Sequence, residues 1–163
     1  MTRLFVAAWP PCDVADRLAR FAAVADEGSR PVPADRLHVT LRFIGDADAD
    51  TVVERLRVAD LPASDARFGP EVVRLGGRQV VVPVKGADEL ATAVCTATHG
   101  LGLADRREFF GHITLARTRR GARSTIEGRQ LSGSFPLDDI RLVGSALEPT
   151  GPVYTTLGRF PAG

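Results

Sequence analysis

Two four-residue words constrain this chain more than any other feature. His38-Val39-Thr40-Leu41 and His112-Ile113-Thr114-Leu115 repeat one pattern 74 residues apart (38 to 112), close to half of the 163-residue length. The chain has three histidines, and two of them begin these words. A pattern recurring at half-chain spacing implies a duplicated unit, so the fold must place two related segments in comparable surroundings. Both segments read as strands. Leu37–Ile44 and Phe109–Ala116 are rich in β-branched and aromatic residues. On a strand, residues i and i+2 share a face. Each histidine therefore projects beside its threonine, while Val39 and Ile113 point the other way, into a core.

The rest of the chain reads as two rounds of strands and helices. In the first round, Leu4–Trp9 is a buried strand stopped by Pro10 and Pro11. Asp13 caps a helix running to about Ala25, with Val14, Leu18, Phe21 and Ala25 at helical spacing. A second helix opens at Asp46–Asp50 and ends before Pro62, and Arg67–Leu75 is a strand. In the second round, Gln79–Val84 is a strand and Asp88 to about His99 a helix. Residues Thr118–Gly133 form a loop with a short helix, and Phe135–Leu147 and Val153–Phe160 are the last two strands. The expected class is α+β, with bilobal, pseudo-symmetric duplicated lobes whose mainly antiparallel sheets line a central cleft. One domain spans residues 1–163, with lobes of about 1–76 and 77–163, and the exchange of strands between lobes is left open.

Composition narrows the function classes. Twenty-one basic residues stand against 20 acidic ones, a net charge of +1, so no global field attracts long nucleic acid and any attraction must be local. Cys12 and Cys95 have no CxxC partner, and no HxxxH, P-loop or GxSxG motif is present. The apolar run Leu4–Trp9 is too short for a signal-peptide core or a membrane span. These features lead to the expectation of a cytoplasmic, monomeric protein with no membrane segment, no metal and no cofactor.

Two imidazoles and two hydroxyls facing one cleft suit a specific chemistry. Imidazole titrates near neutral pH, so one ring can take a proton from water while the other gives one to a leaving oxygen. Threonine hydroxyls can donate to the non-bridging oxygens of an anion held between them. This arrangement suits attack of water on a phosphodiester. Arg42 shares the His38 face by strand parity and reads as a phosphate clamp or as a solvated strand-end arginine. Phe109 and Phe110 read as core residues or as a platform for a base. The cluster Arg119, Arg120, Arg123 and Arg129 reads as a solvated loop, with an RNA-backbone surface as the sharper alternative. His99, at a helix end, is set apart from catalysis.

Paired HxTx words, one in each half, resemble the signature of the two-histidine (2H) phosphoesterases. The fuller stretches Arg3–Ala7, Leu37–Gly45, Phe109–Arg117 and Gly151–Tyr154 resemble the RNA 2′,3′-cyclic phosphodiesterase branch, also called 2′-5′ RNA ligases. The resemblance implies a bilobal α+β fold with a V-shaped cleft, and metal-independent opening of a 2′,3′-cyclic phosphate to a 2′-phosphomonoester. It implies His38 as proton donor to the leaving 3′ oxygen and His112 as the base that activates water. Thr40, Thr114 and Arg117 fall at phosphate-binding positions, although Arg117, five residues past His112, reaches that face only through a bulge or a strand end. The implied partners are RNA 3′ ends or small cyclic-phosphate nucleotides. Alternatives are an ADP-ribose cyclic phosphate, the reverse 2′-5′ ligation, or a non-catalytic module that binds RNA ends. The chain departs from the branch at Pro31-Val32-Pro33, at Arg78–Val84 and at Arg107–Gly111, which leaves the base preference open.

Overall fold

A computed structural model describes residues 2–24, 26–104 and 108–163. The expected helix end at Ala25, and Arg107 before the second histidine, lie outside the described residues. The elements run β1 (Arg3–Trp9), α1 (Cys12–Ala22), β2 (Ser29–Pro31), a 3-10 turn (Ala34–Arg36), β3 (Val39–Gly45) and α2 (Ala49–Arg57). There follow β4 (Asp65–Phe68), β5 (Val73–Leu75), β6 (Gln79–Lys85), α3 (Asp88–Ala97), β7 (His112–Thr118), β8 (Gly133–Pro136), β9 (Asp139–Glu148) and β10 (Gly151–Phe160).

The fold is α+β, and the strands pair antiparallel in the order β10-β9-β1-β3-β7-β6-β4-β8, with β2 also on β7 and β5 on β6. The two motif strands, β3 and β7, meet in the middle through a single pair, Val39 opposite Ile113. Both side chains are fully buried. Each such burial contributes about 1.5–3 kcal/mol, so the pair fixes the junction between the two halves of the sheet. No helix among the described residues is long and apolar enough to cross a membrane.

The halves of the sheet are not the halves of the chain. β9, from the C-terminal half, pairs with β1 over seven residues, from Arg3↔Ser145 to Trp9↔Asp139, and carries β10 with it. β4, from the N-terminal half, pairs with β6 and β8, and β2 pairs with β7. A division at residue 76 therefore cuts through both half-sheets. Chain order does not choose partners here: a strand settles where its apolar face and register are satisfied.

Several boundaries also differ from the sequence expectations. Arg67–Leu75 is two strands, because Gly69 adopts φ +119° and Pro70 has no N–H to donate to a ladder. Phe135–Leu147 likewise divides into β8 and β9 around Leu137-Asp138. The segment 118–133 contains turns and no helix. Asp13 lies in the first turn of α1 rather than capping it, and Pro11 stands at the cap, with no side-chain hydrogen bond there. α2, by contrast, is capped by a side chain: the Asp48 carboxylate accepts from the Thr51 N–H at 2.9 Å.

Candidate active site

The single bridge between β3 and β7 sets the geometry of everything around it. With Val39 opposite Ile113, antiparallel order puts His38 across from Thr114 and Thr40 across from His112. Each histidine thus faces the threonine of the other motif. All four side chains line one cleft of about 600 Å³, together with Arg3, Arg30, Arg36 and Arg117. No carboxylate is among the described residues that line it. A chain of net charge +1 therefore concentrates positive charge at one place.

A bulge in each motif strand decides which arginine enters this cleft. Along β1 and β3 the register passes from Ala7↔Thr40 to Val6↔Arg42, so Leu41 is an extra residue. Along β6 and β7 it passes from Val81↔Thr114 to Val80↔Ala116, so Leu115 is extra in the same way. A bulge reverses the alternation beyond it. Arg42 is consequently turned away from His38 and is 6% exposed. Its guanidinium donates to the Thr98 carbonyl and hydroxyl, to the Leu101 carbonyl at 2.9 Å and to the Leu103 carbonyl at 3.1 Å. The phosphate-clamp and solvated readings of Arg42 are both corrected: it is a buried strut between β3 and the segment after α3. The matching bulge in β7 brings Arg117 to the cleft side. Phe43, the counterpart of Arg117 in β3, is 47% exposed and also lines the cleft.

The two imidazoles are held alike and surrounded differently. His38 Nδ1 lies 2.7 Å from the Arg36 carbonyl, and His112 Nδ1 lies 2.7 Å from the Phe110 carbonyl. A carbonyl only accepts, so Nδ1 carries the proton on each ring and Nε2 is left for the cleft. His38 packs among aromatic rings: Phe5 at 5.3 Å, Trp9 at 4.9 Å and Tyr154 edge-on at 6.0 Å. Trp9 is fixed in turn by its Nε1–H donating to the Asp35 carbonyl at 3.0 Å, and by the Arg141 guanidinium 4.6 Å from its ring centre. Burial pushes the His38 imidazole down to about 4; the Arg36 carbonyl opposes this, while the positive charges of Arg117 and His112 add to it. On the other half-sheet, Gln79 takes the register position that Phe5 holds, opposite Arg117 as Phe5 is opposite Phe43. Its Oε1 accepts from the Thr114 hydroxyl at 3.1 Å. One scaffold is thus finished with three rings around His38 in one motif and with Gln79 beside Thr114 in the other.

The remaining expected residues lie outside the cleft lining. Phe109 is half-buried and packs on the core, lining a separate pocket of about 320 Å³ with Cys95 and His99. Phe110 is 48% exposed and stacks on His112, with ring centres 5.5 Å apart. The sequence reading missed Arg3, Arg30, Arg36, Phe43 and Gln79. Only Arg36 had a local signal, two residues before His38. Arg30 sits on a three-residue strand with no periodicity to read.

Known proteins are similar to this chain over most of its length. The sequence model of a family described as LigT like Phosphoesterase matches residues 9–76. The chain is 30% identical over 184 residues to an RNA 2′,3′-cyclic phosphodiesterase of Thermus thermophilus, spanning 97% of this chain and 89% of that protein. It is 30% identical over 171 residues to one of Escherichia coli, spanning 97% and 95%. The crystal structure of TT0787 of Thermus thermophilus superposes with a TM-score of 0.81 at 27% identity, covering 98% of this chain and 97% of that one. Escherichia coli LigT complexed with 3′-AMP superposes at 0.79 with 24% identity, covering 99% and 98%, a likeness of fold.

Proposed function

The chain belongs to the LigT-like phosphoesterase family, and we propose that it hydrolyses RNA 2′,3′-cyclic phosphate ends to 2′-phosphomonoesters. The observation that carries this reading is the crossed pair of His-x-Thr motifs around the Val39–Ile113 bridge, in a cleft lined by arginine with no carboxylate among its described lining residues.

In the proposed reaction His112 Nε2 takes a proton from water as the water oxygen bonds to phosphorus. The P–O3′ bond breaks, and His38 Nε2 gives its proton to the departing 3′ oxygen. The product is a 2′-phosphate and a 3′-hydroxyl, and solvent exchange resets the two rings. Thr40, Thr114 and Arg117 donate to the non-bridging oxygens, whose charge grows in the transition state. Guanidinium and hydroxyl donors meet that charge, and the described lining offers no carboxylate to hold a cation, which supports a metal-independent reaction.

The low His38 value bears directly on this scheme. In the empty cleft His38 is neutral at pH 7, and an acid must be charged. A phosphate anion between the rings favours the imidazolium against the burial that disfavours it and the Arg117 charge that repels it, so substrate raises the affinity of His38 for its proton. The alkaline limb of kcat, which reports the complex, is therefore expected at higher pH than the alkaline limb of kcat/KM, which reports the free protein. Coincident limbs would show that the anion does not load His38. A short RNA ending in a cyclic phosphate tests the reading as a whole: turnover is expected, and its absence in the wild type would overturn the assignment.

A further inference from the structure

The pseudo-symmetry of the two motif strands exposes a difference between the two rims of the cleft. Aligned on the bulged leucines, Phe43 on one rim corresponds to Arg117 on the other; beyond them a second bulge at Ile44 interrupts β3, which runs on into Gly45 and Asp46, while the chain after β7 runs on into Arg119 and Arg120. Asp46, Arg119 and Arg120 are all exposed. One rim is thus aromatic and then acidic, with Asp48 and Asp50 close behind. The other is arginine throughout. Arg30 pairs directly across from Arg117 on β2 and adds to it.

The arginine rim is built and held. The Arg119 N–H donates to the Gly28 carbonyl at 2.7 Å, and the Ala122 N–H donates to the Arg119 carbonyl at 3.0 Å. Gly121, at φ +80°, lets the turn close. Two of the carboxylates nearby, Glu127 and Asp26, are occupied in securing this turn, while Glu27 is exposed and enters none of the ion pairs among the described residues. Glu127 pairs with Arg74 at 2.7 Å and accepts from the Ser124 N–H at 2.7 Å, while Arg74 donates to the Ala122 carbonyl at 2.7 Å. Asp26 accepts from the Ser124 hydroxyl at 2.6 Å and from the Thr125 N–H and hydroxyl at 3.0 Å each. None of the ion pairs among the described residues involves Arg30, Arg117, Arg119 or Arg120. The acids order the turn and leave its arginines without a paired counter-charge among those residues.

We propose that Arg119 and Arg120 continue the site of Arg30 and Arg117 as a track for the phosphates of the RNA strand leading away from the reacting end. This rests on the function proposed above and extends it to the class of substrate: a polynucleotide end is favoured over a mononucleotide. β7 ends at Thr118, so Arg119 and Arg120 stand just past the strand that carries Arg117, with the Arg119 backbone held to Gly28 just before β2; the arginines therefore follow one another outward along the chain from the cleft, as successive backbone phosphates would require. A solvated phosphate chain needs exposed positive groups and no base recognition, which is what this rim offers. The acidic opposite rim repels the backbone, so charge alone directs the strand over β7.

The test compares a five-nucleotide RNA ending in a 2′,3′-cyclic phosphate with a mononucleoside 2′,3′-cyclic phosphate, using the wild type, the double variant Arg119→Ala/Arg120→Ala and the double variant Arg119→Lys/Arg120→Lys. The alanine pair is expected to lose about tenfold in kcat/KM on the RNA and less than about twofold on the mononucleotide, with a shallower salt dependence on the RNA. The lysine pair is expected to keep most of the RNA activity. An equal effect on both substrates, or none on either, overturns the track. If the wild type cleaves neither substrate, the functional reading fails by itself. Binding of a labelled 3′-phosphate-ended RNA then decides the track: equal affinity of wild type and alanine pair overturns it, and weakened binding by the pair upholds it. Loss of binding to anionic lipid vesicles with RNA affinity unchanged also overturns it, by assigning the rim to a different partner.

Discussion

Alanine at His112 or at His38 is expected to slow single-turnover cleavage of a cyclic-phosphate RNA end by about 10²- to 10⁴-fold, the range general acid–base groups usually supply. The effects should not multiply. Once one ring is gone the proton transfer it coupled to is already lost, so the double variant is expected to be little slower than the worse single one. His38 also fills space among Phe5, Trp9 and Tyr154, so His38→Gln should accompany His38→Ala, to separate a lost proton from a lost packing partner. Full activity in both single variants would remove the imidazoles from the mechanism.

The second large effect concerns stability rather than rate. Arg42→Ala is expected to destabilise the fold by about 3 kcal/mol, because it strands the buried Thr98 carbonyl without a donor, takes donors from the Leu101 and Leu103 carbonyls and removes a buried side chain. At this chain length that is a fall in Tm of roughly 10 °C. Arg42→Lys keeps the charge with fewer donors and should fall in between. A phosphate clamp would behave in the opposite way, losing activity at unchanged stability. An unchanged denaturation midpoint with lost turnover would return Arg42 to the cleft.

The contrast between Arg42 and Arg117 shows where the sequence was legible. The His-x-Thr words were readable because i and i+2 share a face over a span too short for any irregularity to intervene. One residue further on, Leu41 and Leu115 bulge, and parity then points to the wrong arginine in β3. Nothing in the leucines themselves announces the bulge, which arises from how β3 fits against β1 and how β7 fits against β6. Arg3, Arg30 and Gln79 were hidden for a related reason: they reach the cleft from strands whose partners are far away in sequence. The α+β class was visible in the alternation of elements. The exchange of β9 and β4 between half-sheets was not, since pairing between strands so distant in the chain leaves no local mark. The asymmetry around the two histidines was also invisible, because it needs the register that sets Phe5 and Gln79 in equivalent places.

If the two motifs form one acid–base pair that expels the 3′ oxygen, the product carries the signature. It is read from a short RNA with a 2′,3′-cyclic end, incubated with the wild-type protein in excess chelator. The expected product is a 2′-phosphate next to a free 3′-hydroxyl, formed at the same rate with and without chelator. A 3′-phosphate product, or turnover that stops when metal is removed, would contradict the pairing of His38 and His112 in this role.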